Sequence, residues 1–166
     1  MIAIPDDVQE KIGVPLWASH SGCVVNDTSI KSYCAAARNG STLFWRDTSG
    51  APRESAPAPA AMVSVWGRPD MWRPDADEPQ WALQSHFYLK RELGLQDAVI
   101  VDSELEIAKP LRIGDLVDSV EIIRSISELK TTRLGTGRFW DIDVVYRNQS
   151  GEHVGTETYR AFGYQK

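Results

Sequence analysis

Residues 129–164, LKTTRLGTGRFWDIDVVYRNQSGEHVGTETYRAFGY, decide the fold because apolar and polar side chains alternate through them. The apolar positions of the clearest segment are Trp140, Ile142, Val144 and Tyr146, and the positions between them include Asp141 and Asp143. Strict alternation of this kind predicts a strand with one face against a core. The NQSG sequence at 148–151 is typical of a tight turn. The stretch therefore predicts two long strands joined as an antiparallel hairpin.

The alternation continues upstream of this hairpin, with breaks at Pro110 and at Gly114-Asp115. It predicts one apolar face made of Val99, Val101, Leu105 and Ile107, and a second made of Leu116, Val120, Ile122 and Ile126. Together with the hairpin, these segments predict four strands in an antiparallel meander. Alternation on one side only indicates that one face of the sheet meets water and the other needs a cover.

Residues 59–66 predict the cover, a short buried helix. Pro59 suits a first helical turn, and the following residues leave almost no polar face, which is typical of a buried helix. A sheet packed on one apolar helix is an α+β architecture. Two further helices are predicted, one from the capping residues Asn26 and Asp27 to Asn39-Gly40, and one between Pro79 and Gly94.

Composition limits the partners and the domain count. The 166 residues carry a formal net charge of −5 and are 42% hydrophobic, which predicts one globular domain over residues 1–166 with a Pro-rich and helical insertion at about 67–97. Negative charge disfavours nucleic-acid binding, and no apolar run approaches the roughly 20 residues of a membrane span. The acidic N-terminus is unlike a signal peptide, and two cysteines suit a reducing compartment, so we expect a cytoplasmic protein.

Three motifs then carry a resemblance: AKPLRIGDLVDS at 108–119, KTTRLGTGRF at 130–139 and YRNQSGE at 146–152. In this order and spacing they resemble the MaoC-like hydratase/dehydratase family, and more narrowly its N-terminal, FAS1-like dehydratase branch. The resemblance implies a hot-dog fold, in which an antiparallel sheet wraps around a central apolar helix and pairs into a double hot dog. It also implies hydration of 2-enoyl thioesters or dehydration of 3-hydroxyacyl thioesters, carried on CoA or acyl-carrier protein, without a metal or a further cofactor.

The resemblance places the proton-transfer groups of active relatives, an Asp and a His five residues apart, on the segment after the first helix. Leu43 and Trp45 fix the alignment, so the Asp position holds Asn39 and the His position holds Phe44. An amide and a phenyl ring cannot exchange protons in the working range. We therefore expect no catalytic residue in this chain. His20, His86 and His153 lie in no metal-ligand spacing; we expect His86 to be a hydrogen-bonded packing residue and His153 to be solvated, and His20 has no assigned role.

The resemblance also suggests binding residues. The central helix and its approach are expected to shape an acyl pocket through Ala58, Pro59, Ala60, Met62, Val63 and Trp66. Cations around the glycine-bearing hairpin could contact the phosphates of CoA or an acidic carrier protein, and these are Lys130, Arg133 and Arg138. A solvated loop of mixed charge explains the same three cations equally well.

Three functions stay open. The first is a subunit of an enoyl-CoA hydratase or 3-hydroxyacyl-thioester dehydratase that has a degenerate catalytic segment and acts in lipid or steroid side-chain acyl-CoA metabolism. This subunit would pair with a second, catalytic MaoC-like chain as a heterodimer or heterotetramer, or with itself. The second is a homo-oligomeric acyl-CoA thioesterase that uses Asp47 or Glu54 with bound water. The third is a non-enzymatic acyl-CoA-binding module.

Overall fold

A computed structural model describes residues 3–20, 22–45, 56–72, 74 and 80–166. The helices are α1 (Asp6–Gln9), α2 (Asp27–Ala36), a 3₁₀ turn (Ala60–Met62) that leads into α3 (Val63–Trp66), and α4 (Gln84–Glu92). The strands are β1 (Pro15–His20), β2 (Asp97–Ile107), β3 (Val117–Ile126), β4 (Lys130–Thr131), β5 (Thr136–Asn148) and β6 (His153–Gln165). No helix among these residues is long and apolar enough to cross a membrane.

All strands belong to one antiparallel sheet of the order β1-β3-β5-β6-β2, with β4 paired to β5. The helices cover its inner face, so the fold is the predicted hot-dog α+β fold. The predicted meander is wrong at one place, because β2 pairs with β6 and not with β3. Residues 108–116 cross from one side of the sheet to the other, held by backbone bonds from Ala108 and Lys109 to the Val154 carbonyl. Turn residues such as Pro110 mark that the chain bends, but not which strand it reaches.

The inner face of the sheet carries two apolar clusters. At one end, α2 and α3 cover Val117, Val144 and Tyr146. At the other end, α1 and α4 cover Ile123, Trp140 and Ile142 through residues such as Val8 and Leu89. β5 runs through both clusters, and the four alternating apolar residues predicted from the sequence are buried on this face.

Two predicted strand faces differ from the structure. In β3 the inner residues are Val117, Ser119, Glu121 and Ile123, whereas the predicted face contained Val120 and Ile122, which are only partly buried. Apolar residues occur on both sides of this strand, and two of its inner positions are polar. In β2 a register shift between Ile100 and Asp102 puts Val99 opposite Phe162 and Leu105 opposite Glu157, on opposite faces. The single apolar face predicted for β2 is therefore wrong, because a bulge inverts the alternation.

The first helix is confirmed at its start, where Asn26 accepts the backbone N–H of Ser29 at 2.8 Å. Its end comes slightly earlier than predicted. Arg38 adopts a left-handed conformation with φ 51°, and Asn39 donates its backbone N–H to the Cys34 carbonyl. This is a Schellman termination, in which the second residue past the cap bonds back across the last turn.

The short central helix is also confirmed, with Met62, Val63 and Trp66 buried. It is not buried all round, since the side chain of Val65 is 54% exposed. A four-residue helix covers the sheet with one side only, and the opposite side stays open to solvent. The predicted second helix is confirmed as α4, from Gln84 to Glu92, whereas Pro79 lies outside the described residues.

Candidate functional site

The segment aligned with the catalytic pair of active relatives ends α2 and turns toward the core. Asn39 belongs to the Schellman termination, and its side-chain oxygen accepts the backbone N–H of Ser41 at 3.1 Å. Its carbonyl accepts the indole N–H of Trp45 at 2.7 Å. Phe44 is partly buried against the cluster under α2 and α3. Both residues therefore have a structural role here, and neither offers a group that exchanges protons near neutral pH.

The predicted acyl-pocket residues are brought together only in part. A cavity of about 40 Å³ lies at the start of the central helix and is lined by Ala58, Pro59, Ala60 and Val63 from the predicted set. Met62 and Trp66 instead lie in the core, 3% and 1% exposed. A water molecule occupies about 30 Å³ of liquid, so this space does not hold an acyl chain. In this chain alone the cavity has room for about one to three water molecules.

A larger cleft of about 140 Å³ lies at the other end of the central helix, between α3 and α4. Gly67, Arg68 and Pro69 border it on the α3 side, and Gln84 borders it on the α4 side. Its floor is the inner face of the sheet and includes four polar residues, Ser119, Glu121, Tyr146 and Tyr159. We call it the polar cleft.

Glu121 is the buried carboxylate of the polar cleft, with a side chain on β3 that is 5% exposed. Its two oxygens accept the backbone N–H groups of Gln84 at 2.8 Å and Ser85 at 2.7 Å, at the start of α4. Burial raises the pKa of Glu121, and these hydrogen bonds oppose the shift. Free N–H groups at a helix start carry partial positive charge, which offsets part of the cost of burying this carboxylate.

Two tyrosines share the carboxylate of Glu157, which lies across β5 from Glu121. The Tyr146 hydroxyl donates to Glu157 at 3.0 Å, and the Tyr159 hydroxyl also hydrogen-bonds to Glu157. Burial and the negative charge of Glu157 raise the pKa of both phenols, so both stay protonated. Arg68 contributes a hydrogen bond to Tyr159.

The histidines do not join these groups. His86 follows Ser85 in α4, but its ring packs against Trp140 at 5.5 Å between centroids, away from the lining of the polar cleft. Burial lowers the pKa of His86, with a smaller effect of Lys90, so the ring is neutral. His20 lies 3.2 Å from Asp118 and is largely exposed, whereas His153 is exposed beside Thr156.

The three predicted phosphate contacts lie on different sides of the hairpin. Arg138 is 5% exposed and donates to the Ser127 carbonyl at 2.6 Å. Lys130 pairs with Gly137 and is exposed, as is Arg133 in the connection that follows. Arg138 also lies ten residues before Asn148 on β5, about 34 Å along the strand at 3.4 Å per residue. The cations are therefore far from the start of the central helix in the same chain.

Sequence reasoning did not identify the polar cleft. Glu121 and Ser119 alternate with Val117 and Ile123, so they stand at inward positions of a strand. The available sign of the cleft was a pair of polar residues at inward positions of β3. The apolar residues on the other face of the strand led to the opposite face being predicted as the inner one. The alternative catalytic acids Asp47 and Glu54 lie outside the described residues.

The fold and these positions can now be compared with known proteins. The family model of the FAS1-like dehydratase domain region matches residues 11–157. The chain belongs to this family of MaoC-like hot-dog proteins.

A curated relative in Thermomonospora curvata, a probable enoyl-CoA hydratase alpha subunit, is 36% identical over 109 residues. These residues are 65% of this chain and 34% of the relative, so the chain matches about a third of that protein's length. 

Solved structures show the same fold at low sequence identity. The ChsH1–ChsH2 complex of Mycobacterium tuberculosis matches with a TM-score of 0.74 at 22% identity, over 95% of this chain and 88% of that chain. A MaoC-like dehydratase matches with a TM-score of 0.65 at 13% identity, over 95% of this chain and 43% of that one. The C-terminally truncated HadBC complex of M. tuberculosis, a 3R-hydroxyacyl-ACP dehydratase, matches with a TM-score of 0.56 at 16% identity, over 92% and 99% of the two chains.

Proposed function

We propose that this chain is the non-catalytic half of an enoyl-thioester hydratase or 3-hydroxyacyl-thioester dehydratase. A second MaoC-like hot-dog chain supplies the catalytic Asp and His, in a heterodimer or heterotetramer. This chain contributes part of the acyl pocket and stabilises its partner. The substrates belong to the acyl-CoA class, from fatty acyl to steroid side-chain thioesters. The similarity to an enoyl-CoA hydratase alpha subunit supports the reaction class.

One observation carries the proposal: a helix termination and a core aromatic occupy the positions of the catalytic pair. Asn39 is held by Cys34 and Ser41, and Phe44 packs on the apolar cluster. Hydration of an enoyl thioester needs a base for water and an acid for the α-carbon. With an amide and a phenyl ring in place, both proton transfers have to come from elsewhere.

An open sheet edge supports a partner. β2 ends the sheet, and its exposed apolar side chains are Val99, Ile100, Val101 and Leu105, which are 36–48% exposed. An edge of eleven residues with this composition favours pairing with another strand. Pairing there would extend the sheet across two hot dogs.

The charge of β2 favours a different chain over a second copy. The strand carries Asp97, Asp102, Glu104 and Glu106 and no basic residue. Antiparallel pairing with an identical strand would bring these carboxylates close to their copies, and like charges across two strands destabilise the pair. A partner strand with neutral or basic residues removes this repulsion, which supports a heteromeric assembly.

The small cavity at Ala58–Ala60 supports an incomplete pocket. Its volume of about 40 Å³ is too small for an acyl chain, and Lys109, Pro110 and Leu111 form the opposite wall. A partner that contributes its own wall would complete the space. We propose that Lys130 and Arg133 contact CoA phosphates in that assembly, whereas Arg138, buried and bonded to the Ser127 carbonyl, positions the hairpin that carries them.

The test is a hydration assay of a 2-enoyl-CoA with the purified chain, with the MaoC-like chain that co-purifies with it, and with both. We expect turnover with the two chains together and none with this chain alone. Replacing the Asp and His of the partner should abolish turnover, and replacing Asn39 and Phe44 should not. Full activity of this chain alone would overturn the proposal. Saturable binding of acyl-CoA without turnover in any mixture would indicate a binding module instead.

A further inference from the structure

The polar cleft has a feature that the hydratase chemistry does not use. It lies at the far end of the central helix from the small cavity at Ala58. The 3₁₀ turn and α3 together span seven residues, Ala60–Trp66, which is about 10 Å at 1.5 Å per residue. Gly67, Arg68 and Pro69 then lead directly into the cleft. An acyl group that entered along this helix would reach the cleft with its distal end.

The floor of the cleft is rich in hydrogen-bond acceptors, because its hydroxyl protons are already used. Ser119 donates to the Gly67 carbonyl at 2.7 Å. Tyr146 donates to Glu157, and Tyr159 hydrogen-bonds to the same carboxylate. Each hydroxyl oxygen can accept a hydrogen bond, and that of Tyr159 already bonds to Arg68.

Glu121 contributes further hydrogen-bond acceptors to the floor of the cleft. Each of its oxygens accepts one backbone N–H, from Gln84 or Ser85, and each can accept a second hydrogen bond. Among the described residues that line the cleft, the charged side chains are Arg68 and Glu121, and the Glu157 carboxylate bonded to the two tyrosines adds a second negative charge nearby. This excess of negative charge disfavours an anionic ligand and favours an uncharged ligand that donates a hydrogen bond.

The volume sets the size of the group. The cleft holds about 140 Å³, close to the ~150 Å³ of an engineered protein cavity that binds benzene. A six-membered ring or a short branched segment with one hydroxyl group fits this volume. A purely apolar group would leave the lone pairs of the floor without donors.

We propose that the polar cleft binds an uncharged, hydroxyl-bearing group on the distal part of the acyl substrate. The assignment of this group to an acyl substrate rests on the proposed function. The binding of a hydroxyl-bearing group in the cleft does not depend on that function. The ligand hydroxyl donates to Tyr146 or Glu121, and Arg68 donates to the ligand oxygen. Glu157 is a positioning residue, since it fixes the direction in which the two phenol protons point.

The test uses the full chain with two ring compounds of similar size, cyclohexanol and cyclohexanone. Cyclohexanol can donate a hydrogen bond, whereas cyclohexanone can only accept one. Titrations followed by NMR should show contacts of the ring with Tyr146 and Tyr159. We expect cyclohexanol to bind at least about 10-fold more tightly than cyclohexanone.

Two variants locate the site and its polarity. Ala82→Leu narrows the cleft and should abolish binding of both compounds. Glu157→Gln introduces an amide that donates hydrogen bonds, which frees a phenol proton for the ligand, so the preference should fall to within about 3-fold. The matched change Glu152→Gln lies outside the cleft and should leave the preference unchanged.

Three results would overturn the proposal: equal binding of the two compounds, no binding of either, or binding that survives Ala82→Leu. None of them concerns thioester hydration, because the probes carry no thioester. Failure of this proposal is therefore distinguishable from failure of the proposed function, which the enoyl-CoA assay decides.

Discussion

The two edge strands of the sheet, β1 and β2, differ in length, in regularity and in the apolar side chains that they expose. β1 has six residues, bends at a register shift between Leu16 and Ser19, and lies beside α1, whose exit is tied to the sheet by a bond from Gly13 to the Ile123 carbonyl. β2 has eleven residues and exposes four apolar side chains. In the described part of the chain, β1 is short, irregular and in contact with α4, whereas β2 is long and exposes apolar side chains. We therefore propose β2 as the edge that binds a partner strand.

The largest expected loss of stability is at a buried residue of α4, the helix that packs beside β1 and β3. Leu89 is fully buried in α4 above β3, so Leu89→Ala should lower the free energy of unfolding by about 2–5 kcal/mol. The same change at Leu105, which is 37% exposed on β2, should cost less than about 0.5 kcal/mol in the isolated chain. Urea unfolding of both variants checks this. Equal losses would show that β2 is already packed within the single chain.

A charge on each edge tests where association occurs. Val101 on β2 and Val14 before β1 are similarly exposed, at 48% and 44%. Val101→Glu should weaken association by at least about 30-fold, or about 2 kcal/mol, because it places a charge in the proposed interface. Val14→Glu is the matched control and should leave association unchanged. Analytical ultracentrifugation of the assembly measures both, and the reverse pattern would move the interface to β1.

Neutralising the acids of β2 sharpens the choice of partner. The double substitution Glu104→Gln and Glu106→Gln removes carboxylates that would oppose their copies in a self-paired sheet. Self-association of the chain should rise several-fold, about 0.5–1 kcal/mol, from the lost repulsion. Sedimentation of the variant against the unchanged chain checks this. No change in self-association would remove the charge argument for a different partner.

The smallest expected effect compares two carboxylates on opposite faces of the sheet. Burial raises the pKa of Glu121 on the inner face, so its contribution to stability is present below about pH 4.5 and is lost as pH rises through the folded-state pKa. The Arg160 hydrogen bond lowers the pKa of Asp141 on the outer face, so its contribution is present above about pH 3.8 and is lost as pH falls.

Unfolding free energies measured across this range should show both trends. Asp141→Asn should remove the decrease in unfolding free energy on acidification. The decrease above about pH 4.5, which comes from Glu121, should remain. A variant that keeps the acid loss would mean that another pair, such as Lys109 with Glu152, carries it.

The sequence predicts what depends on local periodicity and fails where the structure depends on distant contacts. The alternation of β5 and the Asn26 cap are local, and both are confirmed. The pairing of β2 with β6 depends on a distant contact, because residues 108–116 can carry the chain to either side of the sheet. The Asn39-Gly40 pair predicts the end of α2 slightly too late, because Arg38 adopts the left-handed conformation that usually favours glycine.

The candidate site follows the same division. The positions of Asn39 and Phe44 follow from the order of motifs, and the structure gives each a structural role. The polar cleft depends on four strands, β1, β3, β5 and β6, and on the segments next to α3 and α4, which meet only in the folded chain. Its acids appear in the sequence as ordinary polar residues of strands.

We propose that the groups that transfer protons belong to a neighbouring chain. The most direct measurement is kcat for enoyl-CoA hydration by the two-chain assembly in which this chain carries Asn39→Ala and Phe44→Leu. The account predicts a kcat within about 3-fold of the unchanged assembly, since a general acid–base group is worth about 10²–10⁴-fold and neither residue is one. A loss of 100-fold or more, with the assembly intact in ultracentrifugation, would contradict it.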